Sequence, residues 1–535
     1  MTRGHPLVRE AVLSAAAAAL LAALLAWFGP PGTDLAAHLY QRSVFLEHGF
    51  TLWNNFWYAG RYSFVTYSLL YYPLAALLGI KLLAVATIAL AALGFAVVLW
   101  HEWGPATRWS SRTFAVVWAG IVLSAAFPFA LGFAIALLSL WALQAGKRWR
   151  FAALAALTLA ASPLAFLLLL VVLAGVVLAR RGSLRSNWVP IVGVALASLV
   201  ELVLWRLFPG GGRFPFSATE FAAGITFASV CLALTWRVES ARVLRFFFAV
   251  YALALVLAFV IPSSIGENVV RLRFAAIPLT VLVFSLRRWE PRVVGVAALA
   301  LAVSWNLTPL MWSWIHGAGD ATAHADVWRS PVDFLRANLK PSYRVEAVDT
   351  STHSAAAYLA EAGIPLARGW YRQDDFPVNE VLYDDFGARA YLRWLHSLGV
   401  KYVVLPDGPS DYSSHAEAHL VRSGRAGLTL VFATADISVY EVPHARSIVT
   451  GPGHPWIRTF DESKIGVVLT RGGTYRIAVR YSPYWRTSAG CLAKGRDGMI
   501  RLTTRRARVV RMKFSVNASR ALDEFAGNSP VCRLR

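Results

Sequence analysis

The sequence predicts a polytopic α-helical membrane protein of about eleven spans (residues 1–318), with an exterior α/β domain at 319–445 and an exterior jelly-roll-like β-sandwich at 446–535. Three observations predict it. Only 15% of the 535 residues are charged and 57% are apolar, whereas a soluble chain is about a quarter charged. That shortage is confined to the part before residue 315, where long apolar runs follow one another. Cations recur in alternate turns between those runs.

A hydrocarbon core takes roughly 20 apolar residues as a helix. Apolar runs lie near 8–28, 80–100, 112–126, 129–146, 150–161, 163–180, 187–208, 218–235, 242–262, 269–286 and 292–314. Several are short, and Pro128 and Pro163 mark tight hairpins or kinks where they meet. With Arg3 and Arg9 on one side, alternate turns read "RWSSR", "GKRWR", "RRGSLR", "WRVESARVLR" and "RRWEPR". The opposite turns, "FPFALG", "ASPLA" and "PSSIGEN", hold hardly a cation. Basic turns favour the cytoplasm. A multi-pass plasma-membrane protein is therefore expected, with a cytoplasmic N-terminus, a first exterior loop at 29–79 and an extracytoplasmic C-terminal domain. The first run lacks a clear cleavage site and is expected to be a retained anchor. No internal repeat is visible, which argues against a transporter of matching halves.

The formal charge of +22 does not point to nucleic acid, because many of the cations sit in the turns. The Arg505–Arg511 run lies in the exterior part and reads either as a solvated strand face or as a contact for anionic lipid or polymer. Cys231 falls in an apolar run and reads as a core residue. Cys491 and Cys532 are both exterior, so a disulfide between them is expected in an oxidising compartment.

Within the exterior part, "SPVDFLRANL" and "AYLRWLHSLG" have helical periodicity, while "KYVVLP" and "TLVFATADISVYEVP" read as buried strands and a hairpin. After residue 446, "GTYRIAVRYSPYW" and "RARVVRMKFSV" alternate as sandwich strands. Tyr484 and Trp485 either stack on sugar rings or cover the end of the sandwich. The acids of the repeated "DDF" (Asp374–Phe376, Asp384–Phe386) either take a cation or acceptor hydroxyls or are merely solvated. Asn517-Ala518-Ser519 fits a glycosylation sequon.

The candidate chemistry lies just beyond the first span. Asp34 is placed to accept a proton from an attacking hydroxyl, and His38 follows one helical turn later, on the same face if "DLAAHLYQRSVFLEHG" is a helix. The bland reading is a helix cap at Thr33 or Asp34. Downstream come Trp53, Asn54, Asn55, Trp57, Tyr58, Gly60, Arg61, Tyr67, Tyr71 and Tyr72. An interfacial aromatic belt explains the rings, but not the hydrogen-bonding capacity of Asn54, Asn55 and Arg61. In "IPSSIGENVVRLRFAAIPL" (261–279), Glu267 and Asn268 fall in an exterior turn and Arg271 and Arg273 open the next helix. Arginines there are costly, and a guanidinium suits a phosphate.

"GTDLAAH" followed by "LWNNFWYAGRYSFVTYSLLYYPL" resembles the first exterior loop of polytopic GT-C glycosyltransferases. The resemblance is closest to bacterial, especially actinobacterial, membrane proteins labelled 6-pyruvoyl-tetrahydropterin-synthase-related, and it extends moderately to "ENVVRLR". It implies an inverting cell-envelope transferase that takes a polyprenyl-phosphate sugar as donor and a glycan, lipid or protein as acceptor. In this sequence the base would be Asp34, and the donor phosphate would be held by His38 and by Arg271 or Arg273. Asn54, Asn55, Trp57, Tyr58, Arg61, Glu267 and Asn268 would line the substrate pocket. Relatives show a second exterior acid; no Asp-Asp or Asp-Glu pair stands between 100 and 260, and Glu267 is the nearest substitute. This departure leaves use of a divalent metal open. Two rivals stand beside this reading: a non-catalytic membrane scaffold, flippase or lipid-binding partner with a glycan-binding exterior domain, and a transferase of acyl or phospholipid head groups.

Overall fold

The computed structural model describes residues 4–180, 188–527 and 532. Among them, nine helices are long and apolar enough to cross a membrane. The difference from eleven arises in two places. One stretch, Ile80–Ser124, covers two of the expected runs. A straight helix would put Phe95 and Phe114 about 28 Å apart, at about 1.5 Å per residue. Their rings instead stack at 4.0 Å, so the chain doubles back at the 3-10 turn Gly104–Thr107, where Pro105 interrupts the helix. The other expected run is a helix of only 14 residues, Arg148–Ala161.

The chain forms two compact units, Met1–Leu35, Tyr67–Val203 and Arg213–Ala318 in the first, and Ala36–Thr66, Leu204–Gly212 and Gly319–Arg535 in the second. Most of the expected first exterior loop therefore belongs with the C-terminal residues rather than with the helices.

Within the first unit, cross-links sort the turns into two ends. At one end Arg112 holds Glu10 through two bonds of 2.8 and 3.0 Å, and Arg180 pairs with Glu102. Trp103 Nε1 donates to Ser240 O, Gln144 to Val98 O and Arg287 to Leu234 O. These contacts gather the basic turns 108–112, 236–245 and 287–292 with the chain beside 146–150; the turn 181–187 lies outside the described residues. At the other end, Leu69 N–H donates to Ala160 O, Phe214 N–H to Ser263 O, and Asp34 N–H to Ser124 O. The cation-rich turns thus share one end of the unit, the arrangement that basic sidedness demands. Between the ends, Phe95, Phe114, Trp118 and Phe133 form a continuous aromatic stack.

Among the described residues the second unit contains three four-stranded sheets. One mixes a parallel pair, Arg344–Ala347 with Val400–Pro406, and two antiparallel strands, Ile437–Glu441 and Thr429–Ala433. The other two are antiparallel sheets with a shared core of residues such as Ile465, Val467, Tyr475, Ile477, Val510 and Met512. In the strand Arg508–Phe514 the apolar Val510, Met512 and Phe514 are buried and Arg508, Arg511 and Lys513 exposed; the basic run is a solvated strand face. Tyr484 and Trp485 are buried in the sandwich core, which removes them from sugar stacking. Cys491 and Cys532 form a disulfide with Cα atoms 5.4 Å apart.

The α/β part is held by buried ions. Arg368 bridges Glu346 (2.8 Å) and Glu417 (2.9 Å), and Arg372 pairs with Asp411. Burial alone would raise the Asp411 carboxyl, but Arg372 and His353 outweigh it and hold it at about 2. The unfolded value is about 3.9. The stabilisation from this group is therefore complete above pH about 4 and lost as pH falls through about 2. Thermal unfolding followed between pH 4.5 and 2, values set by that window of about two units, should show a smaller fall in midpoint for Asp411→Asn than for the native chain. An identical fall in both would contradict the assignment.

Candidate functional site

Asp34 is fixed by the backbone around it. Gly32 lies so close to the turn after Ile121 that a Cβ there would run into the Val122 carbonyl oxygen and sit 2.8 Å from the Ala125 Cβ. Thr33 N–H and Asp34 N–H donate to Leu123 O and Ser124 O at 3.2 and 3.0 Å. The Thr33 hydroxyl donates to Ser313 at 3.1 Å, on the long helix Arg292–Ala318. The acid is thus held between two helical elements at the cation-poor end of the first unit.

The arginines come from an unusual segment. Gly266–Ala275 forms ten residues of 3-10 helix, where runs beyond three or four residues are uncommon and mark strain or function. It begins at Gly266, whose φ of +40° and closeness to the Phe214 carbonyl leave no room for a side chain. With three residues per turn, Asn268 and Arg271 share one face, and Glu267 and Arg273 another. Arg271 Nη2 stands 3.5 Å from Asp34 Oδ2. Arg273 Nη1 stands 3.2 Å from Glu220 Oε1, and Asn306 donates to the Arg273 carbonyl at 2.7 Å. Arg273 Nε and Asn306 Oδ1 are buried polar atoms with no hydrogen bond.

The Asp34–Arg271 pair differs in kind from the structural ion pairs. A charge-assisted N–H···O⁻ bond is about 2.7–2.9 Å, and Arg61–Asp374 meets that at 2.6 Å with both side chains 4% exposed. At 3.5 Å, with side chains 21% and 18% exposed, Arg271 and Asp34 are attracted without a tight bond and remain within reach of solvent. An anion can compete for such a guanidinium, and a hydroxyl for such a carboxylate.

Other predicted residues lie elsewhere. His38, on the helix Leu35–His48, belongs to the second unit and is fully buried, so it is not presented to a phosphate. Asn54, Asn55, Trp57, Tyr58 and Arg61 are also buried in the second unit, and their polar groups are spent there. Asn54 donates to Tyr40 Oη (2.8 Å) and accepts from Phe56 N–H (2.7 Å). Asn55 accepts from Trp53 Nε1 and donates to Asp461 O, both at 2.7 Å. Trp57 Nε1 donates to Ala356 O at 2.9 Å. Tyr58, Ala59 and Gly60 turn the chain at positive φ, and Arg480 N–H donates to Ala59 O at 2.7 Å. These residues form core contacts, not a pocket wall. The acids of the first "DDF" are likewise used: Asp374 pairs with Arg61, and Asp375 accepts from Tyr383 and Asn379.

Glu267 accepts the backbone N–H of Ser217 at 3.1 Å, a capping role for the helix Ala218–Thr235. The acid opposite Arg273 is Glu220, which the sequence reading passed over. Its signal was Ser217-x-x-Glu220, a helix-start signature; Ser217 Oγ accepts from Glu220 N–H at 3.2 Å. Glu220 also accepts from Trp305 Nε1 at 3.0 Å. Among the described residues no group of three or more His, Cys, Asp or Glu is placed to hold a metal ion.

Neither a protein-family model nor a curated protein matches this chain.

Arg61→Ala would leave the Asp374 carboxylate buried without its cation, at a cost of about 3–5 kcal/mol, and should lower the unfolding midpoint of the purified chain markedly. Unchanged stability with loss of ligand binding would instead make Arg61 a pocket residue.

Proposed function

We propose that this chain is an inverting membrane glycosyltransferase with a polyprenyl-phosphate sugar as donor and an envelope glycan, lipid or protein as acceptor. Its site faces outward: the N-terminus lies in the cytoplasm, the C-terminal part outside, and the cation-poor end of the first unit at the outer boundary of the plasma membrane. The observation that carries this reading is the loose, part-exposed Asp34–Arg271 pair at that end.

In the reaction, the acceptor hydroxyl attacks the anomeric carbon. The bond from that carbon to the phosphate oxygen breaks as the new C–O bond forms. Asp34 takes the hydroxyl proton. Arg271 holds the phosphate that leaves with its polyprenyl chain, stabilising charge that grows as the bond breaks. Arg273, tied to Glu220 and Asn306, either adds a second contact to the phosphate or sets the 3-10 segment that aims Arg271.

The scaffold reading treats Asp34–Arg271 as a strut between elements of the first unit. The two readings separate on one substitution. Asp34→Asn keeps shape and hydrogen-bonding capacity but removes the base, and should reduce transfer by about 10²–10⁴-fold with insertion and thermal unfolding unchanged. A fully active Asp34→Asn protein would remove the transferase assignment. A destabilised one would favour the strut.

A further inference from the structure

The last helix described in the second unit leaves its two large apolar side chains uncovered. Ala518–Phe525 has no buried residue. At 100° per residue, Ala518, Ala521, Leu522 and Phe525 form one apolar stripe, and Ser519, Arg520, Asp523 and Glu524 occupy the rest. Arg520 and Glu524 face protein, whereas Ser519 and Asp523 are exposed. Arg520 Nη1 donates to Pro483 O and Trp485 O, both at 2.7 Å, and Glu524 pairs with Arg206 at 3.6 Å. Ala521 packs against the sandwich core, while Leu522 and Phe525 face outward, 69% and 54% exposed.

Its tether identifies what covers that stripe. Arg206 also donates to Phe525 O at 3.4 Å, and it lies in the last turn of Trp188–Leu207, a helix long and apolar enough to cross a membrane. That helix presents Leu199, Leu202 and Trp205 outward. Trp and Arg at the end of such a helix mark the level where hydrocarbon gives way to headgroups. The contacts with Arg206 place Ala518–Phe525 beside that end of the helix.

We propose that Ala518–Phe525 is an interfacial helix that lies on the bilayer, with Leu522 and Phe525 inserted among the lipids beside Trp205. Short amphipathic helices bind membranes weakly alone; here the proximity of a membrane-length helix would supply the lipid at high local concentration. The inference rests on the membrane-length helices and not on the transferase reading.

The test uses the full chain in phosphatidylcholine–phosphatidylglycerol nanodiscs. Cys231 is buried and Cys491 and Cys532 are bonded, so a spin label goes to Leu522→Cys, Phe525→Cys, Ser519→Cys or Asp523→Cys in turn. Collisions with oxygen, which concentrates in lipid, and with a water-soluble nickel chelate are then compared. Labels at 522 and 525 should favour oxygen by several-fold over those at 519 and 523. Equal chelate access at all four sites would overturn the proposal, as would dipolar broadening at 522 that shows a second copy covering the stripe.

Discussion

One electrostatic arrangement underlies the rest of the site: a carboxylate and a guanidinium 3.5 Å apart, each partly exposed. The backbone at Asp34 is fixed because its own amide and that of Thr33 are tied to the carbonyls of Ser124 and Leu123, while the Thr33 hydroxyl reaches Ser313. Arg271 is carried on a 3-10 segment whose entry is pinned at Gly266. Full burial of two ions without tight contact would be costly; partial exposure makes the arrangement tolerable. The same protein shows the alternative in Arg61–Asp374 and Arg368–Glu346, where burial and short bonds make the pairs structural.

The second constraint is the use of the aromatic loop. Trp53 stacks on Phe514 at 4.9 Å and meets Trp485 edge-on, and Arg61 lies over the Tyr371 ring. The segment after Asp34 is therefore built into the sandwich and α/β cores, and its asparagines satisfy backbone groups that burial would otherwise leave unpaired. The acid and the loop behind it belong to different units although they adjoin in sequence.

The membrane-length helices were legible because a run of roughly 20 apolar residues has the length and composition that a spanning helix needs. The strands were legible through their period of two, as in Arg508–Phe514. Hydrogen-bond partners were not. Asn54 and Asn55 announce donors and acceptors, but the sequence does not say that Tyr40 and Asp461 take them. For the same reason Glu267 looked like a second acid and proves to cap a helix, while Glu220, not singled out in the sequence, stands against an arginine. The hairpin at Gly104–Pro105 was anticipated as two runs, yet the helix Arg148–Ala161 is too short to count as a membrane-length one.

The most direct measurement is equilibrium binding of a sugar-free polyprenyl phosphate to the full chain in nanodiscs, compared among native, Arg271→Gln and Asp34→Asn proteins. Arg271→Gln should weaken binding by about tenfold or more, since a charge-assisted contact contributes about 1.5–3 kcal/mol, while Asp34→Asn should bind as well as native or better because a competing carboxylate is gone. Equal affinity in native and Arg271→Gln proteins would contradict the phosphate role of Arg271.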